Sequence, residues 1–415
     1  MTEGAPAPAG RRWLFIALAA TLLSLGVAAV TKAPCLSHSW DGFQYTNRCY
    51  SDPVPLYGAR HLDGDAVPYL DFVPPGPGER LEDAVGFNEY PTLTGLVQYA
   101  TSRPVSDAAG FFWATALVMA ACAVATTLLL GRAGVQPFWL VGSALAPPLA
   151  LYAFNNWDLL AVALATGGLV AYRKERPGLT GALLALGASA KIYPALLLAL
   201  VGCDLLRRES GLGRAGWRFG LAAVGTLALV QGPFILLNFE GWWATYQFHL
   251  GRSPTFEAPW TVLAHLAEGS PELSRFFGET LPDAASLMLL LAVALLCIAV
   301  ERGRLKLAHA CLAAVTLFLL LNTVQSLQYA LWLIPLVALA ELDPRWVFPY
   351  LAADFLVFWT IWPFLHGLEH GIDLWAALTV AVLFRAAAQG LLAVGAVRAG
   401  WQPRPAARIR QEPLL

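Results

Sequence analysis

Between Cys35 and Pro91 lies a polar, acid-rich stretch, CLSHSWDGFQYTNRCYSDPVPLYGARHLDGDAVPYLD closing on NEYP, and its carboxylates are the first candidates for chemistry in this chain. A carboxylate held just outside a membrane, beside a shielded cavity, acts as a general base when burial and neighbours tune its pKa. Two jobs suit Asp52: that base, or the N-cap of a helix begun at Pro53, because Asp commonly precedes a first-position proline. Asp41, after Trp40, is the second candidate base. Asp63, Asp65 and Asp71 read as solvated turn residues among Pro and Gly punctuation. Glu89 suits acceptor hydroxyls, or a cap or salt bridge with Arg60 or Arg80.

Further polar residues stand at the ends of apolar runs. Asn155, Asn156, Trp157 and Asp158 offer two amides, an aromatic face and a carboxylate, which fit a sugar, although Asp158 equally fits a helix N-cap. Lys191 closes an apolar run in ASAKIYP. A cation at membrane depth is expensive and marks function by default, here as a phosphate partner; snorkelling to lipid headgroups is the competing reading. His249 and Arg252 form a second candidate phosphate site within an aromatic stretch that otherwise reads as an interfacial belt. Gln328 and Tyr329 open another apolar run. His366, Glu369 and His370 read as a solvated turn, and Arg385 as the partner of Asp354, nearer the cytoplasm than Lys191.

The elements that must position these groups are membrane helices. The chain is 57% apolar and only 13% charged, against about 25% charged in ordinary soluble domains. Twelve apolar segments can be drawn: 13–30, 108–130, 138–151, 159–172, 179–190, 193–206, 219–237, 285–300, 307–321, 329–340, 346–364 and 374–397. Several are short for a full span at 1.5 Å per residue, which predicts broken helices around a cavity. With Arg11 and Arg12 inside and strict alternation, most Lys and Arg fall inside and most Asp and Glu outside. The expectation is an all-α polytopic membrane protein of about 12 transmembrane helices with both termini cytoplasmic. Residues 1–415 form one domain, with a first extracytoplasmic loop at 31–107, a second at 238–284 and a basic cytoplasmic tail at 398–415.

Cys35 and Cys49 share the outer loop, where an oxidising compartment favours a disulfide. Cys122, Cys203, Cys297 and Cys311 fall in helices, where a thiol acts as a small apolar group. No CxxC or HExxH spacing, phosphate-binding glycine loop or basic tract is present, so no metal, cofactor or nucleic-acid partner is expected.

The succession CYSD, LYGARHL, GDAVPYLD and EYPTLTGL, then NNWD, AKIYPALLL and NTVQSLQYALWLIPL resembles the actinobacterial membrane proteins of glycosyltransferase family 87. That family belongs to the polytopic GT-C superfamily and includes polyprenol-phosphate-mannose-dependent α-1,2-mannosyltransferases. The resemblance implies a GT-C-like fold, no obligatory metal, and a catalytic base at Asp52, with Tyr57, Ala59, Gly64 and Tyr69 matching the first-loop pattern. It also places Lys191, Tyr193 and Pro194 on the K-x-Y-P motif. The late motif departs: Thr323 and Leu327 replace a Lys and a Pro common among relatives, and Gln328 and Tyr329 stand where the mannosyltransferase branch has two histidines.

The expected function is inverting transfer of a sugar, mannose by family default, from a polyprenyl-phosphate donor to an envelope glycolipid or glycan. The reaction would take place on the outer face of the plasma membrane. Lys191, Arg252 and His249 would bind donor phosphate, and Tyr57, Glu89, Asn155, Asn156, Asp158, Gln328 and Tyr329 the sugar or acceptor. The rival is a transporter or flippase for lipid-linked sugars; such proteins usually show internal repeats and ionisable residues near the midplane, and no repeat is evident here.

Overall fold

A computed structural model describes residues 10–209 and 211–403. The expected cytoplasmic tail thus lies mostly outside the described residues. All twelve apolar segments are helical. Among the described residues no strand forms, only an isolated bridge between Leu305 and Trp401.

Six helical stretches are long and apolar enough to cross a membrane: Arg11–Leu36, Ala108–Arg132, Arg214–Leu237, Pro271–Glu301, Pro344–His370 and Trp375–Gly400. The other six segments are shorter. Pro177–Ala190 has 14 residues, which at 1.5 Å per residue is about 21 Å against a hydrocarbon core of about 30 Å. Breaks occur where the sequence places proline. The segment expected at 138–151 is two helices, Pro137–Ala144 and Pro147–Tyr152, and Ala146 between them is extended, as a residue before proline prefers. After Ala190 the backbone of Lys191 is extended too, and the next helix begins at Pro194.

Connections at each end of the bundle bond to one another. At the basic end, Arg173 donates to the Leu339 carbonyl, Gln136 donates to Glu341, and Lys306 N–H donates to the Gly400 carbonyl. At the acidic end, Asp52 N–H donates to the Asn155 carbonyl, Thr94 to Ala190, Thr245 to Asn88, and Thr255 N–H to Thr323. Charge patterning along the chain therefore matches the partition of loops in space.

The long first loop is folded against this acidic end. It contains the expected short helix, Pro53–Ala59, and a helix not anticipated from its sequence, Thr92–Ser102. Thr94, Gly95 and Gln98 form the buried face of that second helix, so its inward side is small and polar where an apolar stripe would have signalled it. The sulfurs of Cys35 and Cys49 are 2.10 Å apart, a disulfide. Tyr69 is almost fully buried, and its hydroxyl donates to the Tyr90 carbonyl at 2.7 Å. Gly95 makes this possible: a Cβ there would collide with the Tyr69 ring and hydroxyl. Gly95→Ala is accordingly expected to cost about 1–3 kcal/mol by overpacking, whereas Gly58→Ala, with nothing within 4 Å of its Cβ, costs nothing. Thermal denaturation in detergent compares the two; equal melting temperatures would mean that Tyr69 moves aside freely.

Candidate active site

The short helix begun at Pro53 brings Asp52 to the acidic end of the bundle, but its carboxylate does not cap that helix. It turns instead to Asn156. The Asn156 amide nitrogen donates to Asp52 Oδ2 at 2.5 Å and contacts the Tyr90 hydroxyl at 2.8 Å, while Tyr90 donates to the same carboxylate oxygen at 3.3 Å. Asn156 Oδ1 accepts from the Trp157 N–H at 2.6 Å, which orients the amide with its nitrogen toward Asp52. Burial raises the Asp52 pKa above its ordinary value; Tyr50 and Asn156 hydrogen bonds and the Lys191 charge work against the shift, and Glu89 adds to it. An ionisable carboxylate with a raised pKa, its lone pairs partly used by neutral donors, is equipped to take a proton.

Asp52 lines a cavity of about 770 Å³. Glu89, Asn155, Asn156, Lys191, His249, Arg252, Gln328 and Tyr329 line it as well. Eight of the positions singled out from sequence beside Asp52 therefore meet there, although they come from five separate connections. The Lys191 ammonium is buried, 4.8 Å from the Tyr90 ring centroid and 5.7 Å from that of Tyr329. This rules out snorkelling to headgroups, because the side chain points into protein. Its nearest counter-charge is Asp158 Oδ2 at 3.5 Å.

Three expected positions are elsewhere. Asp158 is fully buried and does not line the cavity; its Oδ1 accepts from the Trp332 indole at 2.7 Å, so it acts behind the wall as the partner of Lys191 and Trp332. It is not the helix cap, which is Trp157 without a side-chain bond. Tyr57 is buried against Phe111, with ring centroids 5.3 Å apart, which makes it a packing residue and not a sugar ligand. Asp41 is exposed and outside the cavity lining. Glu89 lines the cavity while its carboxylate pairs with Arg60, whose Nε donates at 2.7 Å, so its salt-bridge reading holds. The His249 Nε2–H donates to the Glu89 carbonyl at 2.7 Å, leaving Nδ1 as the nitrogen not committed to that bond.

Several groups at this site escaped the sequence reading. Lys32 closes the first helix and is almost fully buried, its ammonium donating to the Tyr50 carbonyl at 2.8 Å. The rule that pointed to Lys191, a cation closing an apolar run, applies equally to Lys32. Glu257 also lines the cavity, and burial raises its pKa. Arg385 does face Asp354, at 3.6 Å, but its guanidinium also donates to the Glu257 carbonyl at 2.8 Å and to Gln325 at 3.2 Å. It thus reaches the acidic end through the Glu257 and Gln325 loops, which corrects the expectation that it lies nearer the cytoplasm than Lys191. Tyr193, Trp332 and Tyr329 stack in series, with centroids 4.4 and 4.1 Å apart. That stack backs the side of the cavity where Lys191 stands.

The model of glycosyltransferase family 87 matches residues 90–323, more than half of the chain and most of the cavity-lining connections. The chain belongs to glycosyltransferase family 87. No curated protein matches it significantly. Among solved structures, ArnT from Cupriavidus metallidurans bound to undecaprenyl phosphate aligns over 94% of this chain and 78% of its own, at 15% identity and a TM-score of 0.45. This family 87 protein is a multi-pass membrane glycosyltransferase, all-helical among the described residues.

Proposed function

We propose that this family 87 enzyme transfers a sugar, mannose by family default, from a polyprenyl-phosphate donor to a hydroxyl of an envelope glycolipid or glycan, on the outer face of the plasma membrane. The observation that carries the reading is a carboxylate of raised pKa, Asp52, in one cavity with the cations Lys191 and Arg252. As the acceptor oxygen attacks the anomeric carbon, Asp52 takes its proton. The bond from that carbon to the phosphate oxygen breaks with inversion, and polyprenyl phosphate leaves. Lys191, Arg252 and His249 stabilise the charge that gathers on the phosphate, through contacts that strengthen as the bond breaks. Asn155, Gln328 and Tyr329 supply amides and an aromatic ring for sugar hydroxyls and the ring face. A lipid-borne donor suits a compartment without nucleotide sugars, and its chain stays in the bilayer beside the bundle.

The test is transfer of labelled sugar from synthetic polyprenyl phosphate mannose, and from the glucose and arabinose counterparts, to membrane glycolipids by protein in nanodiscs. Product from one donor supports the reading; binding without product from any of them favours the transporter. The pH profile offers a second check. Asp52 acts only when ionised, so activity falls as pH drops through its pKa, and burial moves that acidic limb above the ordinary carboxylate range. Asn156→Ala removes a hydrogen bond to the ionised form, which raises the pKa further and shifts the limb to higher pH. An unmoved limb would separate it from Asp52.

A further inference from the structure

The last turn of the Pro344–His370 helix carries His366, Glu369 and His370, spaced i, i+3 and i+4 and therefore on one face. Their ligand atoms lie within 4.8 Å of one another. Bonds of about 2.0–2.2 Å from a metal to imidazole nitrogen and carboxylate oxygen bring ligand atoms somewhat closer than that. Glu369 and His370 are exposed side chains, free to adjust. The His370 Nδ1–H donates to the His366 carbonyl at 2.8 Å, which leaves Nε2 as the free ligand atom. Metal-bound imidazoles characteristically hold their second nitrogen in this way.

Two further observations point to a ligand. His366 Nδ1 is buried without a hydrogen-bond partner, a cost that a bound cation removes. Glu369 makes no ion pair among the described residues. Both aim at one spot: a Cβ built on Gly42 would stand 3.2 Å from His366 Nδ1 and 3.3 Å from Glu369 Oε2. Gly42 has φ +95° and lies within the loop closed by the Cys35–Cys49 disulfide. The carbonyl-rich end of the helix adds a field that favours positive charge.

We propose that His366, Glu369 and His370 bind one divalent ion of the Zn²⁺ class, which ties together the last turn of this helix beside the disulfide-closed loop at Gly42. Two imidazoles and a carboxylate select such an ion over Mg²⁺ or Ca²⁺ and leave a position for water. One turn earlier on the same helix, Trp362 lines the cavity and packs on Tyr50 and Tyr45, with centroids 5.7 and 6.3 Å away. The ion therefore steadies an aromatic wall of the active site without touching reactants.

The experiment uses the full chain, purified in detergent without a polyhistidine tag, stripped by chelation and titrated with Zn²⁺ in a calorimeter. One ion per chain is expected, with affinity weakened at least about tenfold in His370→Ala and in Glu369→Gln. Zn²⁺ should raise the melting temperature of wild type but not of His370→Ala. His265→Ala, whose ring stacks on Trp375 in a different connection, keeps the affinity. Absence of binding by wild type, or equal binding by wild type and His370→Ala, overturns the proposal. Neither outcome bears on sugar transfer.

Discussion

Asp52→Asn is expected to lower sugar transfer by about 10²–10⁴-fold, the usual range for loss of a positioned general base. The substitution keeps the shape of the side chain and still offers an oxygen to the Asn156 amide, which donates at 2.5 Å in the wild type. Donor binding and thermal stability should therefore change little, and the loss should fall on kcat. Burial already penalises the ionised Asp52 carboxylate, so neutral Asn removes a destabilising charge from the folded state above the ordinary carboxylate pKa. Transfer assays with a saturating donor, beside denaturation curves, separate chemistry from folding. Wild-type turnover by Asp52→Asn would remove this residue as the base. The search would then move to Glu257, which lines the same cavity and also has a raised pKa, since Asp41 and Asp158 lie outside the lining.

Lys191→Met carries the second large effect, on two quantities at once. Its ammonium is 3.5 Å from Asp158, whose side chain is 1% exposed. Removing one member of a buried pair typically costs about 3–5 kcal/mol, because the remaining charge is left uncompensated. Loss of a cation at the leaving phosphate should lower transfer by about 10²–10³-fold. The double variant Lys191→Met/Asp158→Asn separates the two: it leaves no orphaned charge and keeps an oxygen for the Trp332 indole, which donates to Asp158 at 2.7 Å. The expected result is restored thermal stability with transfer still low. Wild-type transfer by the double variant would make Lys191 purely structural.

Lys191 and Lys32 show where reading by position succeeds and where it stops. Both are basic residues closing apolar helices, and hydropathy alone marks such a residue as expensive at that depth. Which of them faces substrate depends on what surrounds the ammonium. Lys32 is consumed by the Tyr50 carbonyl, while Lys191 stands in the cavity wall. Asp158 and Asp52 pose the same problem. Each precedes or opens a helix, so both suit capping, yet neither caps. Asp52 is held by Asn156 and Tyr90, and Asp158 by Trp332 and Lys191. These partners are separated from them by 33 to 174 positions along the chain.

The sequence by itself determined the helical membrane scaffold, the folded first loop, the polar connections gathered at one end and the family motifs around Asp52 and Lys191. Those features follow from local rules, since apolar run length, proline position and charge at the ends of a run act on a few neighbouring residues. Tertiary structure alone decided that Asn156 orients Asp52, that Asp158 and Tyr57 stand behind the wall, that Arg385 reaches the Glu257 and Gln325 loops, and that Thr92–Ser102 is a helix with a small polar face. The physical reason is that a side chain's partner is chosen by burial and direction. Where five connections converge on one cavity, both are set by packing between segments far apart in the chain, which no local pattern encodes.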